Sequence, residues 1–99
     1  MATASVHDMI IKIETTFPSI RGVRDGEEWG APPQSIHLGN VAEGGEIDGL
    51  PAADIYASDW DPKGIHYQLG IHVKLEALLN KHGWHTEWYD GGTVLAFCW

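Results

Sequence analysis

The stretch KHGWHTEWYDGGTVLAFCW, Lys81–Trp99, decides how the rest of the chain is read. His82 and His85 stand beside Trp84, Trp88, Glu87, Tyr89 and Asp90, a composition that suits a metal or catalytic site. The same residues also fit the place where a helix stops and a sheet resumes. Lys81 and His82 suit the negative end of a helix dipole, and Gly83 supplies the left-handed residue that ends a helix. Beyond it Trp84, Thr86 and Trp88 alternate with His85, Glu87 and Tyr89, the period of a strand with two different faces. Asp90-Gly91-Gly92 then supplies a turn, and TVLAFCW is apolar on both faces, as expected of a strand inside a sheet. The stretch therefore predicts a terminal hairpin whose last strand is interior.

Upstream of Lys81 the apolar residues Ile71, Leu75, Leu78 and Leu79 predict a helix that begins near Gly70. Before it, ADIYASDW and IHYQLG flank Asp61-Pro62-Lys63-Gly64. Proline pre-sets the turn and Gly64 accepts positive φ, so this segment reads as a second hairpin. A competing reading opens a helix at Pro62 with Asp61 as its cap. The glycines and the alternation of Ile65, Tyr67 and Leu69 favour the strand.

At the other end of the chain, Val6, Met9, Ile10, Ile13 and Phe17 form one stripe of a helix, with Ser5 and Asp8 as a capping pair. Pro18 biases Phe17 out of helical dihedrals, so the helix is expected to stop near Thr16. Residues 18–34 read as an irregular, mobile loop, and SIHLGNV as a short strand with Ile36 and Leu38 on one face and His37 on the other. EGGEIDGLP reads as a glycine-rich loop. The expected architecture is a single α+β domain over 1–99, in the order α-β-β-β-α-β-β, with two helices on a mostly antiparallel sheet of four to five strands.

Composition bounds the function. The apolar fraction of 43% in 99 residues belongs to one globular domain. One cysteine, Cys98, closes no internal disulfide and suits a reducing compartment, so a cytoplasmic location is expected. The N-terminus has no cationic leader and no apolar run long enough to span a bilayer, which predicts a soluble chain away from the membrane. Fourteen acids against six bases give a net charge of -8, with no lysine or arginine between Asp25 and Asp61. Such a chain repels phosphate backbones, which excludes direct nucleic-acid binding and favours a basic protein partner.

The motifs that carry chemistry are incomplete. His82, His85 and Cys98 are the candidate metal ligands, but a zinc site requires three or four converging ligands and no second close pair exists in the chain. Asp59 to Gly64 begins like a calcium loop and fails at Lys63 and Gly70, where oxygen ligands are required. There is no G-x-S-x-G elbow, and EGGEIDG has no lysine for a phosphate. No cofactor is expected. Aromatic residues among carboxylates suit recognition of lysine and arginine. Glu27, Glu28, Trp29, Asp59, Trp60 and Asp61 are therefore the candidate partner-binding residues of a non-enzymatic accessory or inhibitor-like protein. The alternatives are a small metal-assisted or acid–base enzyme using His66, His82 and His85, and a homo-oligomeric structural domain.

Overall fold

The computed structural model describes residues 4–98. Helix α1 spans Val6–Thr16 and opens at Ser5, whose side chain accepts a hydrogen bond from the Asp8 amide at 3.1 Å. Helix α3 spans Val73–Lys81 and ends at Gly83, whose φ of +84° is the left-handed stop. The terminal hairpin consists of β7, Trp84–Asp90, and β8, Thr93–Cys98. With β1, Val23–Asp25, and β2, Ser35–Leu38, they form an antiparallel sheet in the order β1-β2-β8-β7. The strand that is apolar on both faces is indeed interior. The expected α+β class, with two helices packed on an antiparallel sheet of four strands, holds.

Register decides the faces. Trp84 pairs with Cys98, Thr86 with Ala96 and Trp88 with Val94, and Ala96 pairs in turn with Ile36. These side chains turn toward α1 and α3, where Met9, Ile13, Leu75 and Leu79 complete a fully buried core. The opposite face carries Arg24, His37, Leu95 and Glu87 in one row, and Ser35, Phe97 and His85 in another.

Three expectations are corrected. Residues 18–34 are not without structure: they hold β1 and a one-turn helix α2, Gly26–Trp29. Asp25 caps that turn by accepting from the Glu27 amide, and Gly30 closes it at φ +103°. Second, α3 begins at Val73 rather than near Gly70, because Ile71–His72 form strand β6, paired with β5, Tyr67–Gln68. The His72 ring is the helix cap, accepting from the Lys74 amide at 3.1 Å. Third, no hairpin joins ADIYASDW to IHYQLG. Ala57–Asp59 form a 3-10 turn, and the chain from Asp61 onward folds around that residue's own carboxylate. Side-chain to backbone hydrogen bonds here outcompete a strand ladder.

The loop EGGEIDGLP contains a further small hairpin, β3, Glu46–Ile47, and β4, Leu50–Pro51. Asp48 and Gly49 both have positive φ in its two-residue turn, for which Asp-Gly is a favoured pair.

Candidate functional site

Large apolar side chains exposed to solvent are concentrated in one segment. Of seven among the described residues, five lie between Ile55 and Leu69: Ile55, Tyr56, Trp60, Ile65 and Leu69. The other two are Ile11 on α1 and Tyr89 on β7. The segment has little regular structure, yet polar clamps define its path.

Asp61 is the principal clamp. Its Oδ1 accepts from the Ile65 amide at 3.2 Å, and its Oδ2 from the His66 and Tyr67 amides at 3.0 and 2.9 Å. Burial alone raises the carboxyl pKa, but the amides of His66, Tyr67 and Ile65 and the charge of His66 outweigh it and hold the group below the usual carboxylate value. Asp54 is the second clamp, accepting from the Tyr56 amide at 2.9 Å and from Trp60 Nε1 at 3.1 Å. Trp60 then stands edge-to-face on Tyr67 at 4.9 Å. Tyr67 is buried, its hydroxyl donates to the Pro51 carbonyl, and burial, then Asp54 and Asp61, push its pKa up to about 12.

The tip of the segment carries its most unusual residue. Leu69 and Gly70 are the two central residues of the β5–β6 turn, with φ of +52° and +81°. Such a turn favours asparagine, aspartate or glycine first, and a left-handed leucine costs about 1–2 kcal/mol. Gly70 is required, since a Cβ there would lie 2.8 Å from the Asp54 carbonyl oxygen and 3.0 Å from the Trp88 ring. Leu69 has no such local reason. Its side chain is 89% exposed, while its carbonyl accepts from Trp88 Nε1 at 2.8 Å. An open cleft of about 570 Å³ lies between Ile55, Ala57, Pro62, Tyr67, Leu69 and Trp88.

The structure separates the six expected partner-binding residues. Glu27, Glu28 and Trp29 ride on α2: Glu27 and Glu28 line an open pocket with Val6 and Ile10 of α1, whereas Trp29 packs half-buried on His37 and Tyr89, each at 4.9 Å between centroids. Asp59 and Trp60 belong to the exposed segment. Asp61 is only 8% exposed and its oxygens face the backbone, so it is a scaffold residue and not a surface contact.

The expected metal ligands do not converge. His85 pairs with Phe97, one residue from Cys98, which pairs with Trp84; the two side chains therefore leave opposite faces of the sheet. His82 terminates α3. Among the described residues no three of His, Cys, Asp and Glu are grouped to hold a metal ion. Trp99 lies outside the described residues. No described helix is long and apolar enough to cross a membrane.

Sequence reasoning selected Trp60 but passed over Ile55, Ile65 and Leu69. The alternation of Ile65, Tyr67 and Leu69 with His66 and Gln68 is that of a half-buried strand; the clamp at Asp61, which binds the amides of residues 65–67, replaces the strand ladder there.

Two buried histidines make the scaffold sensitive to acid. His37 Nδ1 accepts from the Gly39 amide and His72 Nδ1 from the Lys74 amide, each at 3.1 Å, so protonation at that nitrogen removes both acceptors. Burial, then Arg24, lowers the His37 pKa against a backbone hydrogen bond that raises it. Burial lowers that of His72, with Asp48 opposing and Lys74 and His66 adding to it. An unfolded histidine titrates near about 6.5, so below that pH the unfolded chain binds more protons than the folded one. This stability is complete above about pH 6.5 and is lost as pH falls toward the depressed folded values. The urea midpoint is expected to drop between pH 7.5 and 5.5, with a smaller drop in His72→Asn, whose amide oxygen can still cap α3. An unchanged midpoint in the parent chain would refute this reading.

No protein-family model matches the chain, and no match was found among the curated proteins or the solved structures.

Proposed function

We propose that the domain binds another protein through the segment from Asp54 to Gly70, and that the partner presents lysine or arginine beside apolar side chains. One observation carries this reading: among the described residues, five of the seven exposed large apolar side chains occupy Ile55–Leu69, held in place by Asp54 and Asp61. A defined backbone lowers the entropy lost on binding, and clustered aromatic and aliphatic groups are what an interface centre requires. The partner's charge follows from the chain's net -8; within the segment the sequence carries three aspartates, of which Asp61 is buried against its own backbone, and one base, Lys63. The same charge opposes association of two copies through this surface.

Leu69 separates recognition from stability. Leu69→Asn is expected to raise folding stability by about 0.5–1 kcal/mol, because asparagine suits the left-handed turn position. The same substitution removes a contact residue. A photo-crosslinking amino acid placed at position 65 in the native host is expected to form one discrete adduct, reduced about tenfold or more by Leu69→Asn. The crosslinked partner peptide, read by mass spectrometry, is expected to carry lysine or arginine. An adduct of two copies of this chain, or equal adducts from position 11 on α1, would contradict the proposal. Loss of stability in Leu69→Asn would show that the leucine has a structural role instead.

A further inference from the structure

The two edges of the sheet are built differently. On one side β1 has three residues, and its Val23 amide donates to the Glu14 carboxylate at 3.1 Å, so that edge is short and occupied. On the other side β7 has seven residues, Trp84–Asp90, and pairs with β8 alone among the described strands. It contains neither proline nor lysine, and the one device of that kind it has, a bulge between Trp88 and Asp90, leaves the strand regular from Trp84 to Trp88. A groove of about 480 Å³ runs beside it, bounded by Gln68, Leu69, Glu76, Asn80, Glu87 and Trp88, and no lysine or arginine lines it. Glu76 is positioned there by the Thr86 hydroxyl, which donates to its Oε2 at 2.7 Å.

From this asymmetry we infer that β7 receives an extended, lysine- or arginine-bearing segment of the partner as a fifth strand, with Thr86–Trp88, ahead of the bulge, supplying the backbone ladder. The inference rests on the protein-binding reading above and adds the mode of recognition: Leu69 and Trp88 border both the apolar segment and the groove. Successive side chains of an added strand alternate between faces. One set falls beside Glu87, where cations are favoured, and the other enters the groove, where Leu69 and Trp88 offer apolar contact between the polar Gln68, Glu76 and Asn80. A second copy is a poor occupant, because antiparallel pairing of β7 with itself brings Glu87 and Asp90 of two chains of charge -8 to one edge.

The test uses three fluorescent peptides of about nine residues, strand length for this edge: alternating Lys-Val, alternating Glu-Val, and alternating Lys-Pro. Lys-Val is expected to bind one-to-one and to slow amide exchange at residues 86–88. Lys-Pro carries the same charge but cannot donate ladder hydrogen bonds from its prolines, and is expected to bind about tenfold more weakly. Glu-Val is expected not to bind, and Glu87→Lys to weaken Lys-Val about tenfold. No binding of Lys-Val up to about 1 mM, equal binding of Lys-Val and Lys-Pro, or protection confined to other elements would each overturn the added strand. Crosslinks from position 65 that persist after such a result would leave the apolar surface standing without it. Their absence alongside a positive peptide result would remove the apolar surface and leave the strand.

Discussion

Replacement of Gly39 by alanine is expected to destabilise the fold by about 3 kcal/mol or more, among the largest effects of any single methyl group in this chain. Gly39 follows β2 with φ of +62°, and a Cβ there would lie 2.0 Å from the Arg21 carbonyl oxygen and 2.8 Å from the Gly22 carbonyl carbon. Both are backbone atoms, so no side chain can yield. The two segments are also joined by Asn40, whose amide donates to the Arg21 carbonyl at 3.0 Å and whose Oδ1 accepts from the Arg21 amide at 2.9 Å. Moving them apart breaks that exchange and displaces β1. Gly22→Ala is the control, since its φ is also positive, at +76°, but its Cβ would meet only the Gly39 Cα, at 3.8 Å. Dihedral strain alone is then expected, about 1 kcal/mol. Equal losses in urea unfolding of the two variants would show that close approach at Gly39 is unimportant.

Trp84→Ala is expected to remove about 3–5 kcal/mol. The ring is fully buried at the start of β7, within the cluster that includes Met9, Ile13, Leu75 and Leu79, and its Nε1 donates to the Ala4 carbonyl at 2.9 Å. The substitution leaves a cavity and releases the segment leading into α1. Against a typical domain stability of about 5–15 kcal/mol this is a large fraction, and at about 4–8 °C per kcal/mol it lowers the melting temperature by more than about 10 °C. Trp84→Phe keeps most of the buried volume but leaves the Ala4 oxygen without its donor, for which about 1–2 kcal/mol is expected. A Trp84→Ala variant within 1 kcal/mol of the parent in urea unfolding would mean that the core collapses to fill the site. Since β7 also bears the open edge, its peptide binding is best measured in the parent chain.

How far the sequence carries can be followed residue by residue. Ser5 and Gly83 bound the two long helices by strictly local chemistry: a side-chain oxygen for an unpaired amide, and a residue free to adopt positive φ. The alternation in WHTEWYD and the two-faced apolarity of TVLAFC likewise act over a few residues, and the hairpin and its interior strand follow. The same local signals stand at Asp25 and Gly30, which bracket α2, and in the Asp48-Gly49 turn.

The exposed segment is different. Ile65, Tyr67 and Leu69 alternate as a strand should, yet only Tyr67 is buried. Three amides bind one carboxylate, at Asp61, and the Tyr67 hydroxyl donates to the Pro51 carbonyl, a contact 16 residues back along the chain.

The sequence alone determined both ends of α1, the C-terminal end of α3, the terminal hairpin and the α+β class, because caps, turns and periodicity act between residues close along the chain. Tertiary structure decided the rest. Pairing of β2 with β8 joins segments far apart in sequence, and its register places His85 and Cys98 on opposite faces while the core forms on one. It also left Leu69 in water and one edge of the sheet open, since burial and edge exposure are set by what packs alongside, which no local pattern contains.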